Sequence, residues 1–283
     1  MPSDWLDLPA PPALPLLYAR AVLRGGVRGD TLPSQGLRCP VSVEPAHLER
    51  YRQLCGFAEG SLLPATYPHL LAFSLQLKLL TGPSFPFPLL GLVHLENRIR
   101  VVRPLGGLGP FVASVQVQHL RPHEKGQVFS LLTRLEDQLG LLWEGDSLLL
   151  RRGPPMEGGP APHSEEPALP LATLAQWPAP AAIGRRYARL SGDYNPIHLS
   201  ALSARGFGFP RAIAHGLWNK ARLLAALGER LPTAGYSVQA RFQKPLLLPG
   251  EVSLLASEVA DEGHFRLQSD PTTPHISGGW RLI

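Results

Sequence analysis

The sequence predicts an α+β protein of two tandem units, each a long central helix covered by an antiparallel sheet, and three observations lead there. A Pro/Gly/Ala-rich break, RRGPPMEGGPAPHSEEPALPLATLAQWPAP at residues 151–180, divides the 283-residue chain. Short motifs recur in the same order on either side of it. In each half one helix-period segment precedes several extended segments.

The break has no sustained helical or strand period and reads as a linker, which places one unit at 1–150 and the other at 181–283. Across it, Tyr51, Leu54, Cys55, Gly56 and Phe57 parallel Tyr187, Leu190, Ser191, Gly192 and Asp193 at an offset of 136. Leu63-Pro64 followed by His69 parallels Phe209-Pro210 followed by His215 at an offset of 146, so ten residues are expected to be missing from the first copy. They fall where the second copy has Asn195, Pro196 and His198. NRIRVVRPL (97–105) and QARFQKPLL (239–247) supply a third match.

In the second half, His215–Leu227 puts Leu217, Ala221, Leu224 and Ala225 on one helical face and ends at Gly228. That stripe needs a cover. The strand candidates Tyr236–Gln243, Glu251–Val259, His264–Gln268 and Gly278–Ile283 have hairpin spacing, which implies an antiparallel sheet. The first half repeats the pattern with a helix at Tyr67–Leu80 and strands at Leu92–Val102, Phe111–His119 and Val128–Leu135.

Hydrophobic residues make up 44% of the chain, enough to fill real cores, and no signal-like or membrane-spanning run is present. Cys39 and Cys55 read as free thiols in a reducing compartment, so the expected location is the cytoplasm. The net charge of +5 comes from scattered basic residues, which argues against a nucleic-acid partner and suits a phosphate-bearing carrier. There is no Cys/His ligand cluster and no GxGxxG, so neither a metal nor a redox cofactor is expected.

The chemistry concentrates in SGDYNPIH, Ser191–His198. As structure alone, Asp and Asn side chains make turns, Asn-Pro starts one, and Ser200 caps a short helix through Arg205. As chemistry, His198 exchanges protons near neutral pH, and Asp193 faces it across a proline-fixed bend. Asn195 orients either group or pins the loop. A third element follows in FPRAIAHGLW, which sets Gly216 at the start of the long helix, where unpaired N–H groups stabilise a developing oxyanion.

Together, Tyr187, Leu190, Ser191, Gly192, Asp193, Asn195, Pro196, His198 and Ala214-His215-Gly216 resemble the hydratase motif of the MaoC-like family of hot-dog proteins, which includes R-specific enoyl-CoA hydratases and 3-hydroxyacyl thioester dehydratases. The match covers about a hundred C-terminal residues. The resemblance implies a double hot-dog, paired as a pseudo-dimer within one chain, with a homodimer left open. It implies a hydro-lyase without a cofactor, acting on trans-2-enoyl or 3-hydroxyacyl groups carried by CoA or acyl carrier protein. Asp193 and His198 would activate water, Asn195 would support them, and the Gly216 N–H would hold the thioester carbonyl. Tyr194, Pro196, His215 and Leu217 would contact substrate.

Phe57 replaces the carboxylate in the first copy, so that copy should have no site of its own. The acyl tail is then expected beside Thr66, His69, Leu70 and Phe73. Asn219, Lys220 and Arg222 depart from the apolar or small residues of many relatives, and a solvated helix face is the simplest expectation for Arg222 and, less strongly, for Asn219. A hot-dog thioesterase is the rival enzyme, but its carboxylate belongs on or beside the helix, where the first acid is Glu229. A non-catalytic acyl-thioester-binding or scaffold protein is the other alternative.

Overall fold

The computed structural model describes residues 4–23, 26–27, 29–155, 170–258 and 260–283. In chain order the elements are β1 (Asp4–Asp7), α1 (Leu14–Leu23), β2 (Gln35–Val41), α2 (Pro45–Cys55), α3 (Tyr67–Leu80), β3 (Leu92–Val101), β4 (Phe111–His123), β5 (Gly126–Asp137) and β6 (Gly140–Arg152). They continue with β7 (Ala172–Ala179), α4 (Ile183–Ser191), α5 (Ala201–Arg205), α6 (Gly216–Leu227), β8 (Tyr236–Phe242), β9 (Gly250–Ala256), β10 (Glu262–Gln268) and β11 (Pro274–Leu282). Two compact units result: Met1–Ser42 with His69–Asn97 and Gly109–Pro167, and Val43–Pro68 with Arg98–Leu108 and Ala168–Ile283. They do not coincide with residues 1–150 and 181–283, because α2 and the segment after it belong with the C-terminal elements. Among the described residues no helix is long and apolar enough to cross a membrane.

In the first unit the strands run in the order β1-β2-β4-β5-β6-β3. The β2–β4, β4–β5 and β5–β6 pairs are antiparallel, while β1 is parallel to β2. The helix α3 is apolar almost all round, as a helix enclosed by a sheet must be. Ala72, Leu75, Leu77, Leu79 and Leu80 are buried on it, and Val115, Val128, Leu131, Leu135 and Trp143 are buried on the strands. Ser74 and Gln76 are its buried polar residues, and Gln76 donates to Thr133 Oγ1 of β5 at 2.9 Å. The sequence reading assigns no element to β1, α1, β2 or β6. Strand β6 alternates buried and half-exposed residues along much of its length, the period expected of a strand covered on one face.

The second unit arranges β8-β11-β10-β9-β7 as an antiparallel sheet. Trp218, Ala221, Leu223, Leu224 and Leu227 of α6 are buried, as are Val238, Val252, Leu254, Phe265, Leu267, Ile276 and Trp280 of the strands. Strand β7 corrects the linker reading, since it occupies residues 172–179 and pairs with β9. Pro178 suggested a break, but β7 is the last strand of the order, where proline is tolerated. Trp177 and Ala179 are buried, which anchors it. Residues 156–169 of the expected linker and Val259 of an expected strand lie outside the described residues.

Both copies of the recurring motif lie in this unit. Helix α2 ends at Gly56 with φ 74° and α4 at Gly192 with φ 77°, and each cap N–H closes on a carbonyl four residues back, Arg52 and Ala188. This left-handed geometry favours glycine, which explains the shared Leu-small-Gly ending. Downstream, the isolated bridge Leu62–Gly106 repeats as Ile213–Leu247. The neighbouring bonds Leu63 N–H to Leu105 O and Ala214 N–H to Leu246 O repeat with it, at 2.8 and 2.9 Å. Gly56 and Gly192 are 136 positions apart and Leu62 and Ile213 are 151 apart, so fifteen residues are missing from the first copy rather than ten. The counterpart of His215 is therefore Pro64, not His69.

Candidate active site

The fifteen extra residues of the second copy form a pinned loop that carries the candidate site residues Asp193, Asn195 and His198. After α4, Ser191 Oγ donates to Tyr187 O and accepts the Asp193 N–H at 3.1 Å. Asp193 Oδ1 accepts the Asn195 N–H at 3.1 Å, and Asn195 Oδ1 accepts the Ile197 N–H at 3.4 Å. Pro196 opens a 3₁₀ turn, Pro196–His198, and the His198 N–H closes on Asn195 O. Ser200 caps α5 as expected, accepting the Ser203 N–H. Side chains thus replace secondary structure as partners of this backbone. The turn is well made, and its second carboxylate oxygen, Asp193 Oδ2, takes no part in making it.

His198 is held from three sides. Its Nδ1–H donates to Ile213 O at 2.9 Å, which leaves Nε2 as the basic nitrogen. Its ring stacks on His215, centroids 3.7 Å apart and planes 26° from parallel. Its carbonyl oxygen lies where a side chain on Gly184 would have to go, so only glycine fits there. His215 in turn donates from Nε2 to Asp193 O at 3.0 Å, lies 3.8 Å from Asp193 Oδ2, and rests against Tyr187 at 4.9 Å between centroids. Tyr187, His215 and His198 form a buried column behind the loop, and Asp193, its side chain one-third exposed at 33%, stands in front where water can reach it.

Gly216 opens α6 after His215, so its N–H is at the end of the helix that has no intrahelical acceptor. A side chain at Gly216 would meet the Phe242 ring at 2.9 Å, so close packing demands glycine here as well. Asp193, His198, Asn195 and Gly216 thus occur together in one unit. Of the residues expected at the substrate, Tyr194 is exposed, Pro196 and Leu217 are half-buried, and His215 is buried behind His198. Thr66 is buried in the same unit and accepts from Tyr51 Oη at 2.8 Å. His69, Leu70 and Phe73 lie half-buried on α3 in the other unit, with the His69 and Phe73 rings 6.3 Å apart. Sequence reasoning missed Gly184 and Ile213, which act through contacts distant in sequence, and missed the role of His215 as a prop.

Asp193, His198 and His215 each bring one ligand atom within 4.8 Å of the others. They fit a metal poorly. His198 Nδ1 and His215 Nε2 are committed to backbone carbonyls, so each ring keeps only one nitrogen with a lone pair to offer. A tetrahedral zinc requires its ligand atoms to converge at about 2.0–2.1 Å.

In the first copy the pinned loop is absent, and Leu48, Glu49, Arg52, Leu63, Gly107 and Leu108 line an open cavity of about 420 Å³. Leu48 and Arg52 stand at the positions of Gly184 and Ala188. Arg52 Nη2 bonds Gly60 O and Leu62 O, taking over part of the missing loop's bonding. Phe57, at the carboxylate position, stacks on Tyr51.

Burial drives both histidines of the column toward neutrality. The pKa of His198 is lowered from 6.5 by desolvation, with Asp193 and Ile213 O opposing, and that of His215 falls well below 6.5 through desolvation and the neighbouring His198. His275, buried in the same unit, is lowered by desolvation too. A group whose folded pKa is depressed binds fewer protons folded than unfolded below its ordinary value. The stability these three histidines contribute by staying neutral is therefore present above their ordinary value of 6.5 and is lost as the pH falls below it. Melting temperatures from pH 8 to pH 5 should be flat and then fall, and His198 should remain a neutral base throughout the neutral range. A melting temperature that rises below pH 6.5 would contradict this.

Residues 164–277 match the family described as MaoC like domain. The 3-hydroxyacyl-thioester dehydratase X of Mycobacterium tuberculosis is 35% identical over 235 residues, 82% of this chain and 83% of that protein. Its crystal structure superposes with a TM-score of 0.76 at 30% identity, covering 88% of this chain and 100% of the other. The peroxisomal enoyl-CoA hydratase 2 of Arabidopsis thaliana is 28% identical over 203 residues, 64% of this chain and 63% of its own. A MaoC-like dehydratase from Phytophthora capsici shares the fold, with a TM-score of 0.71 at 20% identity over 88% of this chain and 95% of the other. With a motif loop, a helix-covering antiparallel sheet and a relative of this identity along most of its length, the chain belongs to the MaoC-like family of hot-dog hydratases and dehydratases.

Proposed function

We propose that the protein interconverts trans-2-enoyl and (3R)-3-hydroxyacyl thioesters, carried on CoA or on acyl carrier protein phosphopantetheine, by addition or removal of water. The observation that carries this reading is the His198 hydrogen bond: Nδ1 is tied to Ile213 O, which leaves Nε2 as the basic nitrogen, and a ring nitrogen of His198 lies within 4.8 Å of an Asp193 carboxylate oxygen. In hydration, Asp193 and His198 hold a water molecule and take its proton as the oxygen bonds to C3. The double-bond electrons move toward the thioester oxygen, where the Gly216 N–H stabilises the enolate, worth roughly 3 kcal/mol for a donor of this kind. The proton then returns at C2, so the atoms of water are added and nothing leaves; dehydration is the reverse. Asn195 keeps the loop in shape, and Tyr194, Pro196 and Leu217 border the substrate. No cofactor is needed for this chemistry.

The acid that a hot-dog thioesterase would need on α6 is absent from that helix, since Glu229 follows its last residue, Leu227, and is exposed. The buried free thiols suit a reducing compartment, in this reading the cytoplasm. With Phe57 and no loop in the first copy, one active site per chain is expected. Calorimetric titration with an unreactive enoyl-thioester analogue should saturate at one equivalent, and two equivalents would mean that the first copy also binds.

A further inference from the structure

On α6 the residues that departed from expectation are not on a solvated face. Asn219 is 4% exposed and Lys220 is fully buried, its Nζ donating to Val238 O at 3.4 Å, while half-buried Arg222 lies 5.0 Å from the Trp177 ring centroid. Asn219 is the unusual one. Its Oδ1 is buried and meets no hydrogen-bond donor among the described residues. A polar atom in that state destabilises the fold, and an isosteric leucine would remove the penalty.

The position of Asn219 suggests what the acceptor is for. At about 100° per residue, position 219 falls between the azimuths of His215 and Gly216 and only about 4.5 Å further along the axis from Gly216. Side chains on a helix lean toward its N-terminus, so this carboxamide is directed back toward the Gly216 N–H. We infer that Asn219 contacts the substrate, its Oδ1 accepting a hydrogen bond from an O–H or N–H donor of the bound acyl thioester. The inference rests on the hydratase reading and deepens it by adding a specificity residue. Two donors have this chemistry: the C3 hydroxyl, or the water that becomes it, and the amide N–H of the pantetheine arm. A buried acceptor of this kind discriminates against substrates that lack the donor.

The test is Asn219→Leu, assayed on the crotonyl thioester of N-acetylcysteamine, which has the amide, and on crotonyl propanethiol ester, which does not. The expected result is a melting temperature equal to or above that of the wild type, together with a loss of about tenfold or more in kcat/KM on the first substrate, the size expected for one lost transition-state hydrogen bond. A penalty that disappears on the propyl thioester assigns the acceptor to the carrier arm, and an equal penalty on both assigns it to the C3 oxygen. Wild-type kcat/KM in the variant, or an activity loss that merely follows a lowered melting temperature, overturns the inference. If the wild-type protein hydrates neither ester nor crotonyl-CoA, the hydratase reading fails instead.

Discussion

Asp193→Asn and His198→Gln should each lower hydration of the best enoyl thioester by at least about a hundredfold, the scale of a positioned acid or base. Both substitutions preserve the hydrogen bonds that shape the loop. Asparagine at 193 still offers an Oδ1 to the Asn195 N–H, and glutamine at 198 still offers an N–H toward Ile213 O. His198→Ala is the poorer probe, because it would strip a buried carbonyl of its donor and open space against His215, costing about 1–3 kcal/mol. Unchanged melting with collapsed turnover would assign the pair to chemistry. Near-normal turnover in either variant would reduce the loop to a turn.

Gly184→Ala should be nearly as damaging, although Gly184 touches no substrate. Its added methyl would meet the His198 carbonyl oxygen, which belongs to the backbone of the 3₁₀ turn and has little freedom to retreat. The turn must shift, taking His198 away from both Ile213 O and Asp193, and overpacking of this kind costs about 1–3 kcal/mol of stability. Misplacement by an ångström is enough for a loss of about a hundredfold in rate. The chain contains its own control: the first copy has Leu48 at this position and has no loop above it. Wild-type turnover and melting in Gly184→Ala would show that the seat is not what holds His198.

The geometry of the candidate site was legible in the sequence because its hydrogen bonds are local. SGDYNPIH and AHG name their turn, cap and helix start through residues within a few positions of one another, and the hydrogen bonds from Ser191 to Ser203 follow that local grammar. What was not legible depends on contacts distant in sequence. Gly184 and Ile213 acquire their meaning only when the loop folds over them, and His215 becomes a prop only once Asp193 O is beside it. The alignment of the two copies erred for a related reason. Leu63-Pro64 resembles Phe209-Pro210 as letters, whereas backbone bridges fix Leu62 opposite Ile213 in the repeat. Strand β7 was hidden by Pro178, which an edge strand tolerates, and the burial of Asn219 and Lys220 by the polarity of their side chains.

Water chemistry at Asp193 and His198 is read out by incubating purified wild-type protein and Asp193→Asn with crotonyl-CoA. Loss of the conjugated enoyl absorbance, thiol release and the configuration of the hydroxyl product are measured together. The wild type should give (3R)-3-hydroxybutyryl-CoA with no thiol release, and the variant should be at least about a hundredfold slower. Thiol release without hydration, or hydration indifferent to Asp193→Asn, would contradict water chemistry at this pair.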